Sequence, residues 1–309
     1  MAREEQMDKC IACEGTGKSS KGKECVPCKG SGGVTSPKGF GLHIDRKYDS
    51  KAKVLHGDCR EWIPKAAKKV GGFDFIFADP PFNIGQNYSG YEDDSSPEKF
   101  SEMIFDCVAE MWAALKPNGV LALHGPNELV TMYLVIENGV KLTMNRIAWV
   151  NWHYRFGQHS KTNWINSRTH CLIYAHNPDD FTFNADAVLV ASDRAAKYGD
   201  KRTDATERPG QRLPGTVWGV EGDGPHWGRV TGDNRERQKE SPNQLPEVYL
   251  ERLIRAYTNP GDTVLDPFGG SGTTAVVAMA LGRNAVTIDV SKTNVEIIKE
   301  RLKKGAVRL

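Results

Sequence analysis

Four consecutive residues combine a carboxylate, two prolines and an aromatic ring: Asp79, Pro80, Pro81 and Phe82. They directly follow an apolar run, residues 73–78, so they lie at the carboxyl end of a predicted strand, where α/β sheets bind ligands. The prolines restrict the backbone, so that the Asp79 carboxylate and the Pro80 carbonyl can point at one spot beside the Phe82 ring. Taken alone, the four residues are equally consistent with a turn that carries a capping Asp.

Two acceptors beside a ring suit an aromatic amine, because they can hold both of its N–H groups while the ring stacks on the base. An exocyclic amine delocalises its lone pair into the base, and it is a poor nucleophile until its hydrogens are held out of plane. The tetrad therefore predicts a site that activates such an amine.

A glycine-rich turn follows the apolar run 263–265 and opens a predicted helix at Thr273. Its glycines allow the backbone to approach a ligand closely. Asp289 ends the next predicted strand, where its carboxylate can accept hydrogen bonds from ribose hydroxyls. The order of strand, turn, helix, strand and acid predicts a nucleoside-cofactor site. Its residues are Asp266, Pro267, Phe268, Gly269, Gly270, Ser271, Gly272, Thr273 and Asp289.

Together, the tetrad, the turn and the acid resemble the amino-methyltransferases of DNA, and the resemblance covers most of residues 53–303. The tetrad precedes the glycine turn, which is the permuted order typical of the β group of these enzymes. The resemblance implies that S-adenosylmethionine is the cofactor and that double-stranded DNA is the partner. It also implies methyl transfer to the exocyclic amine of a base that is flipped out of the duplex.

Further segments match motifs of the same family in the expected order. Asp58 and Cys59 lie in a stretch that resembles its Gly-Asp-Cys motif, whose acid binds the adenine of the cofactor. Residues 115–119 resemble its Leu-Lys-Pro-Gly-Gly turn. Residues 241–246 resemble its His-Pro-Thr-Gln-Lys-Pro segment beside the methionine end of the cofactor. The His and the Lys are replaced here, so only Gln244 is carried over from that segment.

Two matched Cys-x-x-Cys-x-Gly-x-Gly units indicate a structural Zn²⁺ site formed by Cys10, Cys13, Cys25 and Cys28. The segment resembles half of the zinc-binding region of DnaJ-type chaperones. A redox pair is the alternative. The neighbouring lysines leave open both a contact with DNA and a purely structural role.

The first tetrad residue bears on the target base. In this family Asp occurs mostly with adenine N6 and Ser mostly with cytosine N4, so Asp79 favours adenine and cytosine N4 is the alternative. RNA or protein amino-methyltransferases are a second alternative, but they usually have Asn first and the cofactor motif upstream. A catalytically inactive zinc-bearing DNA-binding protein is a third, and it predicts a damaged tetrad or glycine turn. Both motifs are intact.

Short apolar runs alternate with helical patterns, which predicts an α/β, Rossmann-like fold with helices on both faces of a mainly parallel sheet of about seven strands. The strand candidates are 54–55, 73–77, 120–123, 147–150, 171–174, 263–265 and 285–288. The helix candidates are 98–115, 129–137, 246–257, 273–281 and 295–302.

We expect four regions along the chain. In chain order they are a zinc-binding module and linker over 1–40, a catalytic half over 41–184, a target-recognition insertion over 185–240 and a cofactor-binding half over 241–309. The insertion is rich in Gly, Pro, Arg and Asp, and its arginines could contact phosphates and guanines. For any single arginine, a solvated surface position is the better interpretation. A disordered surface loop is the alternative for this segment, but Trp218, Trp227 and Val230 indicate that part of it packs.

An aromatic and basic stretch spans residues 149–170. It could help to hold the flipped base or the strand around it, although most aromatic residues beside a strand belong to a core.

With 39% hydrophobic and 26% charged residues, the composition fits a soluble globular protein. No apolar run approaches the length of about 20 residues that crosses a bilayer, and the first residues do not resemble a secretory signal. We therefore expect a cytoplasmic protein with no membrane partner. The net charge of +2 is low for a nucleic-acid binder, so DNA contact requires a local patch. A homodimer and an accompanying restriction endonuclease stay open.

Overall fold

A computed structural model describes residues 50–307, apart from 89–90, 140–141, 155–159, 200–207, 221–222, 224–225, 240 and 242, together with two short strands at 8–9 and 33–34. The described residues divide into two compact units. The larger unit holds residues 50–190 and 213–307, and the smaller holds residues 191–212 with the two short strands.

The secondary structure follows the alternation that the sequence predicts. The strands are β1 Asp8–Lys9, β2 Gly33–Val34, β3 Ala52–His56, β4 Phe73–Ala78, β5 Asn87–Tyr88, β6 Tyr91–Glu92, β7 Leu115–Gly125, β8 Asn145–His153, β9 Arg168–Ala175, β10 Val190–Ala191, β11 Gln211–Arg212, β12 Val217–Trp218, β13 Thr263–Asp266 and β14 Asn284–Asp289. The helices are α1 Cys59–Val70, α2 Pro97–Ala114, α3 Asn127–Glu137, a short 3₁₀ helix Ala185–Val188, α4 Arg194–Tyr198, α5 Glu247–Tyr257, α6 Thr273–Ala280 and α7 Lys292–Lys304.

The main sheet of the larger unit has eight strands in the order β12-β8-β9-β7-β4-β13-β14-β3. Only the pairs that involve β9 are antiparallel, so the sheet is mainly parallel, as predicted. All seven strand candidates belong to it. The eighth strand, β12, lies in the insertion and pairs in parallel with β8. Two residues are too short to give a periodic pattern, which explains why the sequence predicts about seven strands.

Helices cover both faces of this sheet. Phe75 and Phe77 of β4 point into a core formed with α5 and α6. Ile76 and Ala78, which alternate with them, point into a second core formed with α1, α2 and α3. Such alternation gives one strand two buried faces, which is what a parallel sheet inside an α/β fold requires.

The sequence did not reveal α1, which carries a proline inside the helix, Pro64. Asp58 caps its first turn by accepting a hydrogen bond from the Arg60 N–H, and Gly71 ends it in a left-handed conformation with a φ of 79°. Ile63 and Ala66 face the core. Among the described residues, no helix combines the length and apolar character needed to cross a membrane.

The second half of the insertion packs against α5. Trp218, Trp227 and Val230 are buried, as the sequence predicts. The Arg252 guanidinium of α5 lies 4.1 Å from the centroid of the Trp227 ring and donates to the Asp223 carboxylate over 2.9 Å. These contacts fix Asp223 and Trp227 against α5.

Candidate active site

The carboxyl ends of β4, β13 and β14 lie side by side and open into a cleft of about 370 Å³. The cleft brings together all of the predicted catalytic and cofactor residues except Gly272. The predicted residues that line it are Asp58, Cys59, Asp79, Pro80, Pro81, Phe82, Gln244, Asp266, Pro267, Phe268, Gly269, Gly270, Ser271, Thr273 and Asp289. Residues from widely separated parts of the chain therefore share one concave site, which is where ligands bind in such sheets.

Asp79 directly follows β4 and lines the cleft. Among the described residues, its buried Oδ1 has no hydrogen-bond partner. Burial and, to a smaller extent, the charge of Asp266 together raise the pKa of Asp79 to about 8. A buried acceptor without a partner is costly, so this atom is placed to receive a donor from a ligand.

Asp266 ends β13, the strand beside β4. Its Oδ1 accepts a hydrogen bond from the Phe268 N–H over 3.0 Å, which fixes the start of the glycine turn. Burial raises the pKa of Asp266 to about 6, while hydrogen bonds from Thr274 and Phe268 oppose that shift. Near neutral pH, Asp266 is therefore ionised more readily than Asp79.

The glycine turn needs its glycines for close approach and for backbone conformation. A Cβ atom on Gly269 would lie 2.5 Å from Thr287 Oγ1, so no larger residue fits. Gly270 and Gly272 have φ values of +50° and +78°, a region that favours glycine. Gly272 faces Ile298 of α7 rather than the cleft, which explains its absence from the cleft lining.

Asp289 ends β14 and holds the glycine turn. Its Oδ2 accepts from the Gly270 N–H over 2.7 Å, and its Oδ1 accepts from the Ser291 N–H over 2.8 Å. Burial raises its pKa, and these hydrogen bonds oppose the shift. Asn294 Nδ2 also donates to this carboxylate, at 3.3 Å from Oδ1 and 3.2 Å from Oδ2. With three donors on about four lone-pair sites, the carboxylate can accept from about one ligand hydroxyl while it stabilises the turn.

At the other end of the cleft, Asp58 is already engaged by a cation. Arg60 Nη2 lies 2.6 Å from Asp58 Oδ2, and this hydrogen bond is the main reason that the pKa of Asp58 is lowered. Cys59 Sγ lies 3.5 Å from Cys107 Sγ, and both thiols are buried. The sequence did not single out Arg60 or Cys107, which also line the cleft.

Gln244 is buried and uses its carboxamide within its own loop. Its Nε2 donates to the Glu236 carbonyl over 2.8 Å, and its Oε1 accepts from the Gln238 N–H over 2.9 Å. The residue therefore shapes the wall of the cleft through residues 236–238. Its neighbours Ser241 and Leu245, where the sequence departs from the family motif, line the cleft as well.

The aromatic stretch 149–170 is divided between the core and the surface. Trp152 is buried, whereas Trp149 is partly exposed and donates from Nε1 to His170 Nδ1 over 3.1 Å. That bond leaves the proton of His170 on Nε2, which donates to Asn127 Oδ1 over 2.7 Å. Trp164 is 95% exposed.

The predicted zinc ligands Cys10, Cys13, Cys25 and Cys28 lie outside the described residues. Within the described ranges, no cluster of three or more His, Cys, Asp or Glu side chains could hold a metal ion.

Several known proteins are similar to this chain in sequence or in fold. The DNA adenine methyltransferase YhdJ of Escherichia coli (strain K12) is 33% identical over 264 residues, which span 83% of this chain and 84% of that protein. The type II methyltransferase M.HpaI of Haemophilus parainfluenzae is 31% identical over 241 residues, 77% of this chain and 71% of that protein. The crystal structure of the M1.HpyAVI–SAM complex has a similar fold, with a TM-score of 0.52 at 19% identity, and covers 81% of this chain and 98% of that one.

A family model described as DNA methylase, for N6 and N4 methyltransferases, matches residues 73–300, which include the tetrad, the glycine turn and Asp289. This match covers well over half of the chain, and it agrees with the identity to YhdJ along most of both proteins. The chain therefore belongs to the family of DNA methylases that modify N6 and N4 amino groups.

Proposed function

We propose that this DNA methyltransferase uses S-adenosylmethionine to methylate adenine N6 in double-stranded DNA, with Asp79, Pro80, Pro81 and Phe82 as its catalytic residues. The observation that carries the proposal is Asp79, which lines the cleft and whose buried Oδ1 has no hydrogen-bond partner among the described residues. The activity named for YhdJ, adenine methylation, supports the same base. Cytosine N4 is the alternative target.

The cleft suits S-adenosylmethionine in its chemistry. The glycine turn and Asp289 line it together, and the Asp289 carboxylate can accept from a ribose hydroxyl. Asp58 and Cys59 line the end of the cleft where the resemblance expects the adenine of the cofactor. When bound, S-adenosylmethionine supplies an electrophilic methyl group on a positively charged sulfur.

Asp79 has two tasks in this proposal. First, its Oδ1 accepts an N–H of the target amine, which directs the lone pair of the nitrogen out of the base plane. The interaction strengthens as that nitrogen becomes tetrahedral, so it favours the transition state over the ground state. Second, a methylated amine carries an excess proton, and a carboxylate with a pKa of about 8 is a suitable base to accept it at Oδ1.

Phe82 lies in the same cleft as Asp79, where its ring can stack on the base. Because Asp79 Oδ1 is buried, a base cannot reach it from within a stacked duplex and must be flipped out. The insertion over 185–240 is the part of the chain that we expect to read the target sequence.

We further infer that Cys10, Cys13, Cys25 and Cys28 bind one structural Zn²⁺. The two matched cysteine and glycine units in the sequence support this inference, since four thiolates in such pairs form a tetrahedral site.

A nucleoside analysis tests the function directly. The full chain is incubated with radiolabelled S-adenosylmethionine and unmodified duplex DNA, which is then digested to nucleosides. We expect the label in N6-methyldeoxyadenosine. Label in N4-methyldeoxycytidine would establish the alternative target. Label in RNA or protein substrates, with none in DNA, would contradict the proposal.

A further inference from the structure

The loop between β8 and β9 presents two adjacent apolar side chains to solvent. Trp164 is 95% exposed and Ile165 is 50% exposed. Isolated exposed apolar residues are common on protein surfaces, so exposure alone decides nothing. The position of this pair relative to the active site is the observation that bears on function.

The loop lies at the same edge of the sheet as Asp79. Strands β7 and β8 are both antiparallel to β9, so β8 runs in the direction of β7 and therefore of β4. The end of β8 and the start of β9 lie at the edge where β4 ends. Three strand spacings separate β8 from β4 in the order β8-β9-β7-β4, which amounts to about 14 Å along this edge. A duplex that delivers a base to Asp79 must pass over this edge.

Hydrogen bonds within the loop fix the backbone at Trp164. The Asn163 N–H donates to Ser160 Oγ over 3.0 Å, and the Trp164 N–H donates to Asn163 Oδ1 over 2.7 Å. At the base of the loop, the Tyr154 N–H donates to the Ser167 carbonyl over 2.9 Å. An ordered turn therefore carries the indole. Less conformational entropy is lost when such a turn binds a partner than when a flexible loop does.

The charge of the loop complements DNA. Over residues 160–168 the charged side chains are Lys161 and Arg168, and both are exposed. Two cations on either side of an aromatic residue suit the phosphates that flank a base step.

Base flipping creates the space that such a residue can fill. Removing one base leaves a gap about 3.4 Å high in its strand and removes stacking from both neighbours. A planar indole can enter this gap and recover stacking that the flipped base has lost.

We propose that Trp164 inserts into duplex DNA at the position vacated by the flipped base and thereby stabilises the extrahelical state. The proposal rests on the proposed function, since it requires methyl transfer to a base in a duplex. It assigns to Trp164 a positioning role, because the residue acts through the DNA and does not contact the reacting atoms.

Ile84 is the competing candidate on this edge. It is 64% exposed, lies two residues after the tetrad and sits in a turn whose N–H groups donate to the buried Asp93 carboxylate. Its branched aliphatic side chain can wedge a duplex open but offers no ring to stack. A comparison of the two residues therefore distinguishes stacking at Trp164 from wedging at Ile84.

The experiment compares two duplexes that carry the sequence methylated by the wild-type protein. In one the target base is paired, and in the other an abasic site lies opposite it, so that flipping costs little. Single-turnover methyl transfer is measured for the wild type and for Trp164→Ala, Trp164→Phe and Ile84→Ala. Val135→Ala is the matched control, since Val135 is 69% exposed on α3 and lies eight residues, about 12 Å, beyond the start of that helix.

We expect Trp164→Ala to slow transfer on the paired duplex by about 10- to 100-fold, the loss of one base–aromatic stack, and to approach wild-type rates on the abasic duplex. Trp164→Phe and Val135→Ala should stay close to the wild type on both. An unchanged rate for Trp164→Ala on the paired duplex, or an equal loss on both duplexes, would overturn the proposal. A loss on the paired duplex for Ile84→Ala alone would also overturn it. A wild-type protein that methylates no duplex DNA in the nucleoside analysis would instead refute the proposed function.

Discussion

Asp79 and Asp266 lie at the ends of adjacent parallel strands, and the charge of Asp266 adds to burial in raising the pKa of Asp79 to about 8. The pKa of Asp266 itself is raised to about 6. At pH 7 the cleft therefore holds an ionised Asp266 beside a largely protonated Asp79. A positively charged ligand would favour ionisation of both groups, whereas a neutral ligand would not.

We accordingly predict that the affinity for S-adenosylmethionine increases between pH 6 and pH 8. Both carboxyl groups have raised pKa values, so they still carry protons at the lower end of this window, and the sulfonium charge favours their release. Calorimetry at pH 6, 7 and 8, in buffers with different ionisation enthalpies, measures the affinity and the protons released. S-adenosylhomocysteine is the control, since it lacks the sulfonium charge but shares the amino and carboxyl groups. The same pH dependence for both ligands would contradict the prediction.

Asp79→Ala should slow the chemical step by about 100-fold or more, because it removes a preorganised acceptor whose interaction strengthens in the transition state. DNA affinity should be retained or rise slightly, since a buried carboxylate no longer meets a neutral base edge. Single-turnover assays and DNA titrations separate the two effects. Asp180→Ala is the matched control, because Asp180 is exposed in the loop after β9, at the opposite edge of the sheet. A variant that retains wild-type methyl transfer would exclude Asp79 from catalysis.

The predicted site residues share one cleft because they lie in short motifs at strand ends. A strand followed by a tetrad, or by a glycine turn, places its residues at one edge of a parallel sheet whatever the rest of the chain does. The engagement of Asp58 by Arg60 was not predictable in the same way. Their spacing allows a capping interaction, but only the geometry of the first turn of α1 shows that both carboxylate oxygens face the guanidinium.

Asp289→Ala should weaken S-adenosylmethionine binding while DNA binding stays nearly intact. The change removes an acceptor for the ribose hydroxyls, and it also releases the Gly270 N–H from Asp289 Oδ2. Asp289→Asn keeps one acceptor oxygen and should have a smaller effect. Calorimetry with the cofactor and a separate DNA titration measure both affinities. Unchanged cofactor affinity in Asp289→Ala would show that this carboxylate does not contact the ribose.

One tightly bound Zn²⁺ per chain is expected from Cys10, Cys13, Cys25 and Cys28. Metal analysis of the purified full chain measures it, and thiol titration before and after chelation should show four thiols that react only once the metal is removed. The matched controls are Cys59, Cys107 and Cys171, which are buried in the larger unit. Their thiols should become reactive when the protein unfolds and not when the metal is chelated. Metal-free protein with all four thiols reactive would end the zinc proposal.

Two charged residues in α5 and α7 were the hardest feature to predict. In the sequence, Arg301 and Glu247 belong to amphipathic helices and are typical of a solvated face. In the structure their side chains are 1% and 0% exposed, and Arg301 Nη2 lies 2.8 Å from Glu247 Oε1. Only the packing of α7 beside α5 and the glycine turn creates this buried pair.

The buried pair also supports the cofactor turn, since Arg301 Nη1 donates to the Ser271 carbonyl over 3.1 Å and to Thr273 Oγ1 over 2.8 Å. Arg301→Met would remove these donors and leave the Glu247 carboxylate buried without the guanidinium charge. We expect the free energy of unfolding to fall by about 3–5 kcal/mol and cofactor affinity to fall as well.

The coupling free energy within the pair is measured by urea unfolding of three variants: Arg301→Met, Glu247→Gln and the double variant. The double variant should recover part of the stability lost in Arg301→Met, because no ionised group then stays buried opposite an apolar side chain. Its cofactor affinity should stay low, since the donors to Ser271 and Thr273 are still missing. Lys299→Met is the control, because it breaks an exposed pair with Glu296 and should change the free energy of unfolding by no more than about 1 kcal/mol. If the double variant regained wild-type cofactor affinity, Arg301 would stabilise the fold without positioning the turn.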